Sequence, residues 1–389
     1  MIRDLDDDSA RQVISERLGP PFRKLIFSDW DAEFLTTPEG ERGMVTALVD
    51  RYLASRRHAV PWLHDALDLS DGRVVEIGCG TGASTVAMAE RCASVVAFDV
   101  DAPSVDAARA RAAAHELDNV VFHRCEPSEI LAAALAEDTP DVYVLYAVLE
   151  HLTITERLDA LRSLWAALEP GGALAIIETP NRLTYRDRHS SEIDFTHLLP
   201  DELAFPLLEL SPRAAYRDVI SRAASTPDPQ DGHLNRVRFG LGASYHEFLV
   251  AIDEPLAEIV VADGYEDAIT SWFGVHLDEL LLLQYVLAES IDVPCAFARS
   301  VLNVVLRKPV SAEDRAAAVA RNAARRIEMV ARYPLAPVGW QETPSEAVSP
   351  SSSPPTAPPP TPSTRALALA LARDVTGKVR RRVGRLRRG

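Results

Sequence analysis

Glu76, Gly78, Gly80 and Gly82 fall at alternate positions in the stretch VVEIGCGTGAST, residues 74–85. Val74, Val75 and Ile77 predict a buried strand, and the three glycines let the chain turn sharply and approach a ligand without Cβ clashes. A helix expected from Ala83 to Cys92 opens with free backbone N–H groups, which favour negative charge. A nucleotide-like ligand with an anionic end suits such a turn. Gly78, Gly80 and Ala83 also satisfy a dinucleotide-binding pattern, with the acid Asp99 about 20 residues on. Glu76 favours a different class of ligand. A carboxylate there repels a pyrophosphate and attracts a ligand that carries ammonium and sulfonium charge.

These residues need an alternation of strands and helices to position them. Strands are expected at 73–77, 94–98, 119–124, 141–146 and 173–178, with helices at 83–92, 102–116, 127–137 and 154–168 between them. Apolar strands separated by helices of this length imply a parallel sheet covered on both faces, with ligands outside the strands' carboxyl ends. Thr153 and Glu156 make a capping box at the start of the fourth helix. Leu158, Leu161, Leu164, Trp165 and Leu168 form its buried stripe, and Pro170, Gly171 and Gly172 end it. Glu150 and His151 therefore fall in the short loop before that helix, at the ligand edge of the sheet.

The predicted fold class is α/β: a doubly wound, mostly parallel, Rossmann-like sheet. A helical N-terminal lead-in is expected over 1–71, the ligand-binding core over 72–182 and a helix-rich acceptor-side insertion over 183–298. Residues 299–333, beginning with SVLNVVLRK, supply the closing strand and a helix of the core. The Pro-, Ser- and Thr-rich stretch 334–364 reads as an extended, disordered linker, and 365–389 as a basic amphipathic helix.

The formal charge of −16 on 389 residues argues against nucleic-acid binding by the body of the chain. The charge is uneven, because residues 365–389 hold nine Arg or Lys against one Asp. Cys79, Cys92, Cys125 and Cys295 have neither metal-pair spacing nor a disulfide framework, which fits a reducing cytoplasm. The acidic N-terminus is not a signal peptide, and no apolar run is long enough to span a membrane.

Four segments together resemble the class I S-adenosylmethionine-dependent methyltransferases, in particular the small-molecule group with an EH pair after strand four. They are VEIGCGTG (75–82), VVAFDVD (95–101), DVYVLYAVLEHL (141–152) and LEPGGALAIIETPN (168–181). The glycines alone would also fit an NAD-dependent oxidoreductase, which is the alternative enzyme reading; the EHL and LEPGG segments in this order set the chain apart from one. The resemblance implies S-adenosylmethionine as cofactor. It places Glu76 beneath the methionine part, Gly78, Gly80 and Gly82 against ribose and methionine, and Asp99 on the ribose diol. Glu126 stands where the family carries an acid for the adenine amino group.

The resemblance also implies in-line transfer of a methyl group, which for a hydroxyl acceptor requires a general base. His151 is the first candidate and His197 the second, with His189 at the same sheet edge. Relatives that bind a divalent cation here carry E-x-x-E-H, whereas this chain reads Ala147-Val148-Leu149-Glu150-His151. With two ligands only, no required metal is expected. The loop 181–188, rich in arginine, is an acceptor-side candidate, and Trp30, Phe34 and Arg42 are candidates to close over the cofactor.

In the tail, Leu367, Leu371, Val375, Val379, Val383 and Leu386 share one helical face within a basic surround, which suits an anionic membrane surface. A cytoplasmic enzyme, peripheral at the inner face of the membrane, would then act on a sugar, a lipid-linked glycan precursor or another small hydroxyl-bearing metabolite. A non-catalytic, membrane-tethered binding protein is the third reading.

Overall fold

The computed structural model describes residues 2–28, 33–187, 189–214, 216–218, 221, 229–264, 277–288 and 293–333. The expected linker (334–364), the tail helix (365–389), Trp30 and Arg188 lie outside the described residues.

Seven strands form one sheet: β1 (Arg73–Ile77), β2 (Ser94–Asp99), β3 (Val120–Arg124), β4 (Val142–Tyr146), β5 (Ala173–Pro180), β6 (Val260–Asp263) and β7 (Val301–Arg307). Their order is β3-β2-β1-β4-β5-β7-β6. The first five run parallel, and β7 is antiparallel to both β5 and β6. The strand order reverses between β1 and β4, which leaves a crevice outside their carboxyl ends.

Alternate residues of β1, β2, β4 and β5 feed two cores. Val74, Val95, Ala97, Val142 and Val144 pack on one face with the lead-in and the Ala83–Ala89 helix. Val75, Ile77, Phe98, Tyr143 and Leu145 pack on the other with Leu161, Leu164 and Trp165. This two-sided burial is why the strands read as continuous apolar runs rather than alternating ones. Glu76 shares the parity of Val74 and so points into the first core, toward the Ala83–Ala89 helix.

The sequence missed β6. Its four residues, VVAD, follow a single helical turn, Leu256–Ile259, and are too short to show a period. The stretch expected as a helix-rich insertion thus includes an edge strand of the sheet. The helix Ile154–Ala167 starts at the expected capping box, where Thr153 and Glu156 exchange hydrogen bonds.

The lead-in is tied to the core by one buried cation. Arg111, in the helix Ala102–Ala114, is 0% exposed. Its guanidinium donates to the carbonyl oxygens of Thr81 (2.9 Å), Leu48 (2.7 Å) and Ala47 (2.8 Å). Burial pushes its pKa down to about 9, and no carboxylate pairs with it among the described residues. The turn after β1 and the helical run of the lead-in are therefore held by the same side chain.

Candidate active site

The turn after β1 has all three glycines in left-handed backbone, with φ of +79° at Gly78, +50° at Gly80 and +74° at Gly82. At Gly78 a Cβ would lie 2.5 Å from Cγ2 of Val148, in the loop after β4, so only glycine lets the two loops meet. At Gly80 a Cβ would point into open space. Asp99 braces the turn: Oδ2 accepts from the Gly80 amide (2.6 Å) and Oδ1 from the Asp101 amide (2.9 Å). Each oxygen keeps a second lone pair for a ligand hydroxyl.

Beneath the turn, Glu76 is fully buried and accepts hydrogen bonds from the hydroxyls of Ser84 and Thr85. Burial raises its pKa to about 7, and the nearby Asp99 charge adds to the rise, against the two hydroxyls that lower it. No ion pair reaches this carboxylate among the described residues. A buried acid without a cation fits a ligand that brings positive charge. Glu126 lies elsewhere. It is half-exposed, makes an ion pair with Arg124 (2.5 Å) and does not line the cavity.

The turn forms one wall of a cavity of about 420 Å3 at the β1/β4 crevice. Tyr146, Glu178, Arg182, His189 and His197 line it from the acceptor side. The carboxyl ends of β4 and β5 are strained, with Ala147 at φ +53° and Glu178 at φ +54°. Asn303 of β7 accepts from the Glu178 amide (2.9 Å), and the Glu178 carboxylate accepts from Tyr146 Oη (2.6 Å). Burial raises the pKa of Glu178. Thr46, Arg51, Ser55 and His58 close the cavity from the lead-in, whereas Phe34 and Arg42 do not line it.

Three charged or imidazole groups gather where the loops after β4 and β5 meet: Glu150, His151 and His189. Glu150 is 0% exposed, and its Oε2 accepts from Thr179 Oγ1 (3.3 Å). Its Oε1 has no hydrogen-bond partner, and burial pushes its pKa up to about 8. Nε2 of His151 and Nε2 of His189 each lie 3.8 Å from that Oε1. Nδ1 of His151 is 2.8 Å from the carbonyl oxygen of Arg238, which makes Nδ1 the protonated nitrogen. Burial lowers the pKa of both imidazoles, that of His189 to about 4.

Gly240, at φ +124°, lets the His189 ring in. A Cβ there would lie 2.3 Å from its Nδ1. His197 stands apart from this group. Its Nε2 is 2.8 Å from the Thr184 carbonyl oxygen and so carries the proton, which leaves Nδ1 buried and without a partner. Burial lowers its pKa, against Asp187 and two backbone contacts that raise it.

Of the residues singled out from sequence, Gly78, Gly80, His189 and His197 line the cavity. Glu76, Gly82, Asp99 and His151 do not, although Glu76 is hydrogen-bonded to Ser84 and Asp99 to the Gly80 amide, both on its wall, and His151 lies 3.8 Å from the lining Glu150. Of the arginine-rich loop, Arg182, Arg186 and Asp187 line the cavity, and the Asp187 carboxylate also accepts from the amides of Ser190 and Ser191, both at 2.8 Å. Sequence reasoning missed Tyr146, Glu178 and Arg51. A signal for Glu178 was present, since a lone acid ends the apolar run of β5 as Glu76 does in β1.

Residues 74–172 match a family described as the methyltransferase domain. The tRNA 5-carboxymethoxyuridine methyltransferase of Escherichia coli K12 is 33% identical over 106 residues, which are 27% of this chain and 39% of that protein. A ubiquinone biosynthesis O-methyltransferase of Pseudomonas fluorescens SBW25 is 32% identical over 126 residues, 32% of this chain and 50% of that protein. The chain thus spans half or less of the length of these relatives. Among solved structures, the CcbJ methyltransferase of Streptomyces caelestis is similar at 22% identity, covering 45% of this chain and 61% of that one with a TM-score of 0.30. Residues 74–172 are a class I S-adenosylmethionine-dependent methyltransferase domain, and the NAD-dependent reading is set aside.

Proposed function

We propose that this chain transfers a methyl group from S-adenosylmethionine to a hydroxyl of a small acceptor, with His197 as the general base. One observation carries the reading: a single cavity joins the turn over Glu76 to a wall of hydrogen-bonding and charged side chains. About 420 Å3 suits a small molecule, within the ~300–1,000 Å3 usual for ligand pockets. The wall made by Tyr146, Glu178, Arg182 and the histidines suits an acceptor rich in hydroxyls, such as a sugar, better than an apolar one.

Bound at the turn, S-adenosylmethionine supplies a methyl group already activated on sulfonium sulfur. Glu76 would sit under its positive end, the backbone of Gly78, Gly80 and Gly82 would pass against it, and Asp99 would accept from the ribose diol. Glu126 would reach the adenine only by leaving Arg124. Nδ1 of His197, with its lone pair bare, would take the acceptor's proton as the methyl group passes to the acceptor oxygen, the S–C bond breaking as the O–C bond forms and the neutral thioether departing. A neutral imidazole is the form that this step requires, and burial keeps His197 neutral.

A lipid-linked glycan presented at an anionic membrane is the finer form of this proposal. It rests on the sequence of residues 365–389 alone. No helix among the described residues is long and apolar enough to cross a membrane.

Incubation with methyl-labelled S-adenosylmethionine and a fractionated extract of the producing cell tests the proposal. Label in a glycan, lipid or small hydroxyl-bearing fraction supports it. Label in the RNA fraction alone would replace the acceptor class. No label above that of an Asp99→Ala control, in protein that binds the cofactor, would favour a non-catalytic binding role.

A further inference from the structure

We propose that Glu150, His151 and His189 form a binding site for one divalent transition-metal ion of the zinc class. Oε1 of Glu150 and one nitrogen of each histidine lie within 4.8 Å of one another. Both histidines present Nε2 to the same carboxylate oxygen at 3.8 Å. Ligands about 2.0–2.2 Å from zinc at tetrahedral angles stand roughly 3.4 Å apart, so each Glu150–histidine pair is within a few tenths of an ångström of that spacing. Two imidazoles and one carboxylate are a donor set for first-row transition ions rather than for magnesium or calcium, which take oxygen.

Three independent features point to an ion. Glu150 is 0% exposed, yet its Oε1 has no hydrogen-bond partner, and a buried acceptor left bare keeps its desolvation cost uncompensated. His151 gives its Nδ1 proton to the Arg238 carbonyl, which leaves the Nε2 lone pair facing Glu150. Such an outer hydrogen bond is the usual way a ligating histidine is fixed in tautomer and orientation. Gly240 provides the space in which His189 reaches the same point. The sequence at 147–151 supplies only Glu150 and His151. The third ligand comes from the loop after β5 and is visible only in the fold, which overturns the premise on which no metal was expected. Glu150 and His189 also line the cavity, so an oxygen of the acceptor is a natural further ligand. The site itself does not depend on the methyl-transfer reading.

The test uses the full chain, stripped with chelator and desalted, and titrated with zinc chloride by calorimetry. Cobalt(II) absorption reports the coordination of the same site. One equivalent is expected, with a rise in melting temperature on binding. His189→Ala and His151→Asn should each weaken zinc binding by at least about 100-fold, beyond the ~10–100-fold typical of outer-shell partners. His246→Ala, outside the cluster, should leave it unchanged. Circular dichroism shows which variants fold, and the half-exposed position of His151 makes His151→Asn the variant to read if His189→Ala does not fold. No stoichiometric binding to the wild-type chain, or binding that survives in a folded His151→Asn variant, would overturn the proposal. Both readouts are independent of methyl transfer.

Discussion

The two ends of the cavity are built differently. The donor end comes almost entirely from one contiguous stretch, residues 76–85, braced by Asp99 from the next strand. The acceptor end is assembled from the loops after β4 and β5, the segment around Gly240 and the lead-in. A contiguous turn binds by backbone shape, so its residues are fixed by sterics. An assembled wall binds through side chains, so its chemistry can change one residue at a time.

The largest effect should come from breaking the donor shape. Gly78→Val combines a positive φ with a Cβ 2.5 Å from Val148, so cofactor binding measured by calorimetry should be lost. Overpacking should also destabilise the chain by about 1–3 kcal/mol. If binding survives, the donor end is not set by backbone shape and the contrast fails.

Next in size is the proposed base. His197→Ala should lower kcat by about 10²–10⁴-fold and leave cofactor affinity within twofold. Because burial holds this imidazole below its ordinary value of 6.5, wild-type kcat should stay flat down to that pH and fall only below it. An equal loss of cofactor affinity in the variant would show that the two ends are not separable.

Glu76 tests the electrostatics of the donor end. Its carboxyl rises from 4.5 to about 7 in the free protein. Protonation up to that pH opposes a cationic ligand, so cofactor affinity should increase as pH rises from 6 to 8, and Glu76→Gln should flatten the profile at a lower affinity. The stability of the free protein should move the other way. The contribution of a raised carboxyl is fully present below 4.5 and is lost as pH rises through about 7. The smallest effect is expected at Glu126→Ala, within twofold in cofactor affinity, because this carboxylate is half-exposed and paired with Arg124. A larger loss would show that it leaves that pair to hold adenine.

The same contrast explains what was legible in the sequence. Strands β1 to β5, the capped helix at Thr153 and the donor turn are local patterns of a few residues, and each emerges from spacing alone. Strand β6 has only four residues and takes its identity from pairing with β7. Tyr146 and Glu178 meet because adjacent strands end together, a relation that no linear spacing encodes. His189 was visible as a residue at the ligand edge, but its approach to Glu150 depends on a glycine some fifty positions away in the chain, Gly240.

The buried guanidinium of Arg111 bears on how this protein can be cut or recombined. Sequence spacing draws a boundary near residue 72, as if the sheet and its helices were a transplantable unit. Arg111 crosses that line, with two of its three carbonyl partners in the lead-in. A fragment that begins at residue 72 would expose this cation on one side and release Thr81, in the donor turn, on the other. Shuffling the first seventy residues between relatives should therefore fail unless the backbone around residues 47 and 48 is carried with them, and the minimal heritable module of this protein includes a region with no role of its own in the glycine motif.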